Sequence, residues 1–440
     1  MSNAVVEWVK RAVDVREEEL RALLWAFVYF FCLLCAYYVL RPVLDAMRLA
    51  GGVLNLQWQV TATFVTMLIA VPIFGTIVAK LPRRIFLPAV YWFFIVNLVL
   101  FYFALQAKQY ELYTARIFFV WVSVFNLFVM SVFWSFMADL FSSEQGKRLF
   151  GFIAAGGTAG ALVGPALTAG LAKTLGTPNL LLISAALLGV ALLCIQKLLL
   201  VMKHKDEQTY ESAGAAQTEK LIGGGILTGA AQVFRSPYLI GICLYLFIYT
   251  ALSTFLYFQQ AHIVAGAFES RAERTQVFAV IDLCVSIVTL LTQLFVTGRL
   301  MRRFGMSLAL AFVPIVSVIG FIVLGLYPTL IVLIAFQALR RASNYAISRP
   351  AREVLYTVVS AEQKYKSKNF IDTVVYRGGD VLSGWAFAGV KALGTSLSSM
   401  AFIAVPIAVL GCLVAVLLGR KQAELSGEPA VQAKPAETTT

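Results

Sequence analysis

Long apolar stretches, separated by short polar connectors, follow one another along almost the whole chain. Each is about 20 residues long, which as a helix is enough to cross the ~30 Å hydrocarbon core of a bilayer. The pattern predicts twelve spanning helices, near residues 22–40, 58–79, 85–105, 112–139, 149–172, 180–201, 238–260, 276–298, 306–326, 328–352, 369–391 and 396–418. The chain is therefore predicted to be an all-α polytopic membrane protein.

One long polar connector, residues 202–237, separates the first six predicted helices from the last six. It predicts an N-terminal bundle over 22–201 and a C-terminal bundle over 238–420, joined by a cytosolic linker. Residues 1–21 mix charged and apolar positions, which fits an amphipathic cytosolic segment on the membrane or a solvated lead-in helix. Residues 421–440 are rich in Ala, Glu, Pro and Thr, a composition that predicts a disordered cytosolic tail.

The composition fits a membrane protein and argues against other classes. Hydrophobic residues make up 60% of the 440 positions and charged residues 13%, against about 45–50% and 25% in soluble domains. The chain has no P-loop sequence (G-x4-G-K followed by Ser or Thr) and no other enzyme signature, so we expect it to be neither an ATP-driven pump nor an enzyme. The six cysteines lie in apolar stretches and the two histidines lie far apart, so we expect no disulfide, metal site or cofactor.

The net charge of +13 is distributed in a way that predicts topology and argues against nucleic-acid binding. Lys and Arg are concentrated in alternate connectors, as the positive-inside rule requires. Arg83 and Arg84 stand in one such connector and Arg302 and Arg303 in another. Both termini lie on the same side as these connectors, so we expect both to be cytosolic and the lipid bilayer to be the surrounding partner.

The two halves repeat each other at an offset of 218 residues. Glu144-Gln145 corresponds to Glu362-Gln363 and Arg148 corresponds to Lys366, with further matches in the same register at Phe152, Gly160, Lys173 and Gly176-Thr177. Six helices per repeat make the repeats parallel, related by an axis along the membrane normal. The sequence therefore predicts two parallel six-helix repeats.

This arrangement, together with two motifs, resembles the major facilitator superfamily (MFS) of secondary transporters. The connectors after the second and eighth helices keep part of the family's loop pattern, at Gly75, Arg83 and Arg84 and again at Gly298, Leu300, Arg303 and Gly305. The fifth helix carries the spacing G-x8-G-x3-G-P shared by the family's antiporters, at Gly151, Gly160, Gly164 and Pro165. The resemblance implies a cavity between the halves lined by helices 1, 4, 7 and 10, gating by the loop arginines, close packing at the fifth-helix glycines, and a monomer in a bacterial inner membrane.

A narrower resemblance rests on three stretches. They are Tyr37–Asp45 (YYVLRPVLD), Phe133–Asp139 (FWSFMAD) and Ser143–Arg148 (SEQGKR). Together they resemble bacterial proteins related to the ATP/ADP translocase group, which exchange nucleotides. Leu44 stands beside Asp45 where that group usually has a lysine. The resemblance implies an anionic substrate, a nucleotide or an organophosphate.

Charged residues at membrane depth in the C-terminal half are the strongest candidates for a site. A charge at the bilayer centre costs about 2.5–3.5 kcal/mol on insertion scales, so it calls for a function or a partner. Arg340 and Arg341 lie in the tenth predicted helix and Arg377 and Asp380 in the eleventh, with Asp372 nearer the cytosol. One interpretation is that Arg340 or Arg341 binds an anionic substrate while Arg377–Asp380 forms a structural or gating pair. The other is that Asp282, Asp372 and Asp380 neutralise all three arginines.

Weaker candidates line the helices expected to face the cavity. Polar or aromatic side chains at suitable positions are Asn344, Arg116, Asn126, Tyr249, Ser253, Tyr257 and Arg41. The spacing of the tyrosines fits substrate stacking or plain packing, and Arg41 can reach the substrate or snorkel to the headgroups. Asp139 stands at a helix end and is expected to form a gate contact.

Three functions remain open from the sequence. The first is a secondary transporter that exchanges anionic solutes by alternating access. The second is a proton-coupled exporter of apolar or cationic compounds, which needs a titrating carboxylate such as Asp282 or Asp380. The third is a non-transporting sensor or assembly factor on the same fold.

Overall fold

A computed structural model describes residues 16–50, 52, 55–80, 83–107, 111–141, 143–210, 233–295, 297–359, 367–368 and 370–426. Side chains are described for these residues except at 17–18, 50, 72–80, 83, 111, 143–144, 146–147, 202–210, 294–304 and 373. The other residues include most of the predicted N-terminal segment, the linker from 211 to 232 and the tail from 427, so those predictions lie outside the described part of the chain.

The described chain is helical throughout, as predicted. Thirteen α-helices follow one another: α1 Glu17–Ala50, α2 Leu56–Lys80, α3 Arg83–Gln106, α4 Glu111–Leu140, α5 Ser143–Leu175, α6 Thr177–Tyr210, α7 Pro237–Ala267, α8 Arg271–Phe295, α9 Thr297–Leu326, α10 Leu330–Ser343, α11 Arg349–Leu355, α12 Tyr376–Ala392 and α13 Leu397–Ser426. Two π-helical turns, Asn344–Ser348 and Ile371–Val375, join α10 to α11 and precede α12.

Nine of these helices are long and apolar enough to cross a membrane within the described residues. The second, tenth and eleventh predicted crossings fall short of that measure for identifiable reasons. In α2 the apolar part that is described ends at Val71. The tenth crossing is divided by the first π turn after 14 residues of α10, and the second π turn leaves α12 with 17 residues.

Several helices run past the predicted limits of the apolar stretches. Helix α1 was predicted to end at residue 40 but continues to Ala50, with Pro42 inside it. Helix α6 continues to Tyr210, into the predicted linker, and α13 continues to Ser426, into the predicted tail. Hydropathy marks only the part of a helix that lies in hydrocarbon, whereas the backbone hydrogen bonds of a helix can continue through polar residues.

The described residues divide into two compact units, one formed by those up to 210 with 264–283 and the other by 233–263 with those from 284 to 426. The end of α7 and the first half of α8 thus cluster with the first six helices, although the sequence assigned all of 238–420 to the C-terminal bundle. In the first unit α1 is central and packs closely on α5. A Cβ built on Gly156 would come within 2.6 Å of the Phe27 carbonyl oxygen, and one on Gly164 within 2.8 Å of the Cys35 carbonyl oxygen. Small residues therefore bring these two backbones together.

In the second unit, glycines again set the helix contacts around the tenth and eleventh crossings. Gly379 of α12 packs against the Thr250 side chain of α7, and Gly320 of α9 packs against the Phe336 ring of α10. A Cβ on Gly419 of α13 would lie 2.5 Å from the Cα of Ser307 in α9. Helix α9 is kinked at Gly305, whose φ of +72° and ψ of −178° are not helical. These contacts join α7 to α12, and α9 to both α10 and α13.

Candidate functional site

Arg340 lies at the centre of a polar cluster in the second unit. It is the eleventh residue of α10, about 15 Å from the helix start, which is half the ~30 Å hydrocarbon core. Its guanidinium donates from Nε to Ser317 Oγ at 3.1 Å, from Nη1 to Ser253 Oγ at 2.9 Å and from Nη2 to the Tyr249 carbonyl oxygen at 3.2 Å. It also lies 5.2 Å from the centre of the Tyr249 ring. The side chain is 2% exposed, so α7, α9 and α10 together enclose it.

A chain of contacts leads from Arg340 to the charged pair on α12. The rings of Tyr249 and Tyr376 lie 6.2 Å apart between their centres. The Arg377 guanidinium lies 5.9 Å from the Tyr376 ring, and its Nη1 is 3.8 Å from Asp380 Oδ2. Thr254 Oγ1 of α7 donates to Asp380 Oδ1 at 3.2 Å. Arg340, Tyr249, Tyr376, Arg377 and Asp380 therefore form one continuous cluster, the arginine–tyrosine cluster.

Both π-helical turns border this cluster. The turn Asn344–Ser348 follows Arg340 and Arg341 directly, and the turn Ile371–Val375 ends immediately before Tyr376. A π turn holds one residue more than an α turn, and such turns occur frequently at functional sites. Their position at the two charged segments marks this part of the second unit as the candidate site.

The three acids that could have neutralised the three arginines are dispersed. Asp380 lies by Arg377, but Asp372 lies 3.9 Å from Arg352 and Asp282 lies 3.6 Å from Arg41. Within the described residues no carboxylate lies within ion-pair distance of Arg340. The full pairing that the sequence left open is therefore not formed, and the ligands of the buried arginine are two hydroxyls and a carbonyl.

Arg41 and Asp282 come together in the first unit. Asp282 is 2% exposed, on the part of α8 that clusters with α1, and the Arg41 guanidinium also lies 5.8 Å from the Tyr38 ring. The sequence left Arg41 as a ligand of the substrate or of the headgroups, and Asp282 as an ion-pair partner of the membrane-depth arginines or a titrating carboxylate. Because the Asp282 carboxylate lies beside Arg41, it supplies a negative charge that the sequence analysis expected from a substrate or a headgroup.

The other predicted binding residues divide between the two units. Arg341, Asn344 and Tyr257 are half-buried in the second unit, and the N–H of Asn344 donates to the carbonyls of Arg340 and Arg341. Asn126 is half-buried in α4 of the first unit. Arg116, also in α4, lines a cavity between α2, α3 and α4. Arg116 and Asn126 thus belong to a different unit from the arginine–tyrosine cluster.

The structure places some of the predicted gating and packing residues, and others lie outside the described part of the chain. Asp139 and Arg84 are exposed, and the side chains of Arg83, Arg302 and Arg303 lie outside the described residues. Gly160 and Gly164 pack against α1 next to the buried Pro165, whereas among the described residues no atom outside the local helix backbone lies within 4 Å of a Cβ built on Gly151. The close contacts at the start of the pattern come instead from Gly156 and Gly157, which the antiporter spacing does not include.

Several contacts could not be recognised in the sequence. Glu19 at the start of α1 accepts from Gln145 Nε2 at 2.7 Å and from Arg148 Nη2 at 3.1 Å, which gives the Ser143–Arg148 stretch a role in joining α5 to α1. The repeat of Glu144-Gln145 at 362–363 was the available signal. Ser317 and Thr254 carried no signal, since single hydroxyls in apolar helices are common. Arg48 is fully buried one turn after Asp45 and interacts electrostatically with it. The i, i+3 spacing of these two residues was a signal for this contact in the sequence.

Comparisons with known proteins place this fold. Three solved structures resemble it over nearly their full length. The POT family transporter PepTSo has a TM-score of 0.62 and 15% identity, over 92% of this chain and 98% of that chain. The nucleoside transporter NupG has a TM-score of 0.61 and 13% identity, over 90% of this chain and 99% of that chain. A bacterial homologue of the human lysosomal transporter Spinster has a TM-score of 0.60 and 14% identity, over 96% of this chain and 100% of that chain. At such low identity the likeness shows the fold alone.

A comparison with curated protein sequences gave no match. The family model described as Major Facilitator Superfamily matches residues 26–363, well over half of the chain. The predicted fold class is thereby confirmed, and the protein is a multi-pass membrane transporter and not an enzyme. This chain belongs to the Major Facilitator Superfamily.

Proposed function

We propose that this transporter exchanges anionic solutes by alternating access and that Arg340 is the residue that holds the anion. The observation that carries the proposal is the burial of Arg340 at mid-membrane depth, with no carboxylate of a described residue in ion-pair distance. Hydroxyl and carbonyl oxygens solvate the guanidinium but bring no negative charge.

The electrostatics favour an anionic ligand. A buried charge is costly when nothing of opposite charge stands close to it. Arginine has five N–H donors, and three of them are engaged with Ser317, Ser253 and Tyr249. One N–H on each Nη remains, and two N–H groups side by side are the arrangement that binds carboxylate or phosphate bidentately. An anion at this point would supply the missing counter-charge.

The charged and aromatic side chains around Arg340 are more exposed than Arg340 itself. Arg377 is 36% exposed by side chain, and Arg341, Tyr249 and Tyr376 are half-buried. An anion can therefore meet the outer arginines before Arg340, and the two tyrosine rings offer flat faces to a base or another planar group. Together with the stretches that resemble the ATP/ADP translocase group, this favours a nucleotide or organophosphate as the substrate class.

Exchange, rather than one-way transport, is supported by α5. Its antiporter-like spacing places Gly160 and Gly164 against α1, where a side chain of any size would separate the helices. Rigid packing of this kind suits a unit that moves as one body during alternating access.

We propose an inner-membrane location with both termini in the cytosol, from the distribution of Lys and Arg.

Proton coupling is the second candidate, and Asp380 is the observation that favours it. Among the described residues it is the carboxylate that belongs to the arginine–tyrosine cluster, 20% exposed and 3.8 Å from Arg377. Release of Asp380 from Arg377 on protonation would couple transport to pH. Transport that depends on a pH gradient and is lost in Asp380→Asn would support this candidate.

The test of anion exchange combines binding and counterflow. Purified protein is screened by thermal shift against nucleotides, sugar phosphates, dicarboxylates and cationic drugs, and the best ligand is then followed in proteoliposomes preloaded with unlabelled anion. Ligand at about 100 times its Kd should add ~2.7 kcal/mol to the free energy of unfolding. In Arg340→Gln we expect no shift and no counterflow, and in Arg340→Lys, which keeps the charge without the fork, a weak shift.

Arg349→Gln is the matched control, since it removes an exposed arginine nine residues further along the same crossing. It should leave binding and counterflow as in the unmodified protein. Binding of an anion that is equally strong in Arg340→Gln would contradict the role given to Arg340. Stabilisation by cationic drugs alone would contradict the anionic substrate class.

A further inference from the structure

A large apolar cavity lies in the first unit between α2, α3 and α4, with a volume of about 1090 Å³. Bulky side chains on α3 and α4 keep these helices apart, in contrast to α5, whose glycines allow close contact with a neighbouring helix. Neither α3 nor α4 contains a glycine, and Phe94, Trp121 and Phe125 stack and meet edge to face between them. The rings hold the backbones apart, whereas the glycines of α5 allow close contact with α1.

One side of this cavity is open to an apolar surface. Trp58, Ile69, Phe93 and Ile117 line the cavity and are each 57–60% exposed. On α3 the exposed apolar surface continues along the helix through Trp92, Val96, Leu100 and Phe103. A run of exposed aromatic and aliphatic side chains on a membrane-spanning helix is suited to contact with lipid chains. Hydrocarbon can therefore enter the cavity from the side.

Most polar groups of the cavity are gathered at one end. Asn55 directly precedes α2, Gln59 lies in the first turn of α2 and Arg116 lies in the second turn of α4. With alternating crossings, α2 and α4 begin at the same face of the membrane. Gln59 is 4% exposed, and both of its amide atoms lack a hydrogen-bond partner within the described part of the chain. The indole N–H of Trp121, which also lines the cavity, is buried without a described acceptor. Buried polar groups without partners cost free energy, and a ligand at this place would satisfy them.

The order of these groups along the helices matches the order of groups in a phospholipid. Trp121 lies five residues beyond Arg116, about 7.5 Å deeper, and Phe128 lies twelve residues beyond it, about 18 Å deeper. On α4 the lining residues beyond Trp121, Val124 and Phe128, are apolar, and on α2 those beyond Gln59 are apolar except Thr66. One leaflet of the hydrocarbon core is about 15 Å deep, half of the ~30 Å total. The cavity is thus as deep as one leaflet, with its cation at the headgroup end.

We propose that this cavity is a binding site for an anionic glycerophospholipid of the bilayer. Its phosphate would lie at Arg116, the Gln59 amide and the Trp121 N–H would donate to its ester carbonyls, and an acyl chain would lie along Ala70, Val124 and Phe128. The site is separate from the arginine–tyrosine cluster and does not depend on the function proposed for it. The charge of Arg116 selects an anionic headgroup over a zwitterionic one.

The test measures lipid retained by the whole protein. The protein is reconstituted in equimolar dioleoylphosphatidylglycerol and dioleoylphosphatidylcholine and extracted in mild detergent. Native mass spectrometry then measures the mass of the protein together with the lipids that it retains. We expect one retained phospholipid, with phosphatidylglycerol enriched about fivefold, the effect of one basic residue near a membrane surface. Arg116→Gln should still retain a lipid but lose the enrichment. Ala62→Trp, which fills the cavity, should retain none.

Val96→Trp is the control, because it places the same bulk on the exposed face of α3 outside the cavity. It should retain lipid as the unmodified protein does, and thermal unfolding checks that Ala62→Trp is folded. The proposal is overturned if the unmodified protein retains no lipid, if Ala62→Trp retains as much as Val96→Trp, or if Arg116→Gln keeps the enrichment. Displacement of the lipid by chain-free glycerophosphoglycerol at equal concentration would overturn it too, since the site would then recognise a soluble anion.

Discussion

At the scale of single residues, the arginines of the C-terminal half differ in what neutralises them. Arg377 has Asp380 at 3.8 Å and Arg352 has Asp372 at 3.9 Å, whereas Arg340 is held by Ser253, Ser317 and a backbone carbonyl. The paired arginines can stabilise the fold without a ligand. Among the described residues no carboxylate lies in ion-pair distance of Arg340, and for this reason we propose that a solute anion binds it.

The Arg377–Asp380 pair gives a prediction about stability. Removing one charge leaves the other at membrane depth without a counter-charge, which for a buried pair costs about 3–5 kcal/mol. The pair here is partly exposed, with side chains 36% and 20% accessible, so we expect a smaller but measurable loss in each single variant, Arg377→Gln and Asp380→Asn. The double variant should be more stable than the sum of the single losses indicates.

Thermal unfolding of the four proteins in detergent completes this double-mutant cycle. Additive losses would mean that the two charges do not interact. The exposed pair Lys421–Glu424, at 2.8 Å, is the comparison, and its cycle should show a coupling close to zero, as exposed pairs usually do.

At the scale of helices, α5 is the element whose small residues matter most. Its glycines face the α1 backbone along Gly156, Gly160 and Gly164, so an added side chain meets main-chain atoms that cannot rotate away. Gly151, by contrast, has open space at the position of a Cβ. The two ends of one sequence pattern therefore differ in their tolerance of substitution.

We predict that Gly164→Val destabilises the protein by about 1–3 kcal/mol, the usual cost of overpacking. The physical reason is the 2.8 Å approach of its Cβ position to the Cys35 carbonyl oxygen and the Tyr38 Cβ. Gly151→Ala should be neutral or slightly stabilising, because alanine favours helix and meets no neighbour. Thermal unfolding of both variants decides the matter, and equal unfolding temperatures would contradict the packing described here.

The helices also show how far the sequence leads. Hydrophobic stretches predicted the crossings, because burial in hydrocarbon depends on composition over about 20 residues. They could not predict that α1 continues through Arg41 and Pro42, since the carboxylate that neutralises Arg41 comes from Asp282 in α8. The π turns were equally hidden, because Asn344–Ser348 reads as a regular polar face when it is set on an α-helical wheel.

The same limit applies to the candidate site. The charges of Arg340, Arg377 and Asp380 stand out against apolar sequence and were found by their cost alone. Their partners Ser253, Ser317, Thr254 and Tyr376 become special only through contacts between helices that are distant in the chain. Which side chains contact each other depends on how the helices pack, and a single sequence does not show this packing.

At the scale of the whole molecule, the division into compact units does not follow the division into repeats. Residues 264–283, which include the end of α7 and the start of α8, cluster with the first six helices. They are attached there by Arg41–Asp282, by Gln276 Nε2 donating to the Ala169 carbonyl oxygen at 3.0 Å, and by Thr177 and Thr275 hydroxyls 3.3 Å apart. Lys173 Nζ also lies 3.9 Å from Glu273 Oε1, but both of these side chains are exposed, whereas Asp282 is buried.

We predict that Asp282→Asn loosens residues 264–283 from the first unit. The change removes the counter-charge of Arg41 while keeping the size of the side chain. Hydrogen–deuterium exchange of peptides covering 264–283 should become faster, with peptides of α5 unchanged. Glu424→Gln, which breaks an exposed pair, serves as control, and an exchange rate in Asp282→Asn equal to that control would contradict the attachment.

The π turn between α10 and α11 has a consequence for the history of this chain. A π turn accommodates one residue beyond the α-helical count, so it has the form of a single-residue insertion absorbed within a helix. Deleting one residue from Asn344–Ser348 would restore continuous α-helix and leave both flanks helical, whereas a deletion elsewhere in α10 would rotate Arg340 away from Ser253 and Ser317. The crossing that carries the central arginine is thus a place where natural relatives can differ in length by one codon without losing the helix.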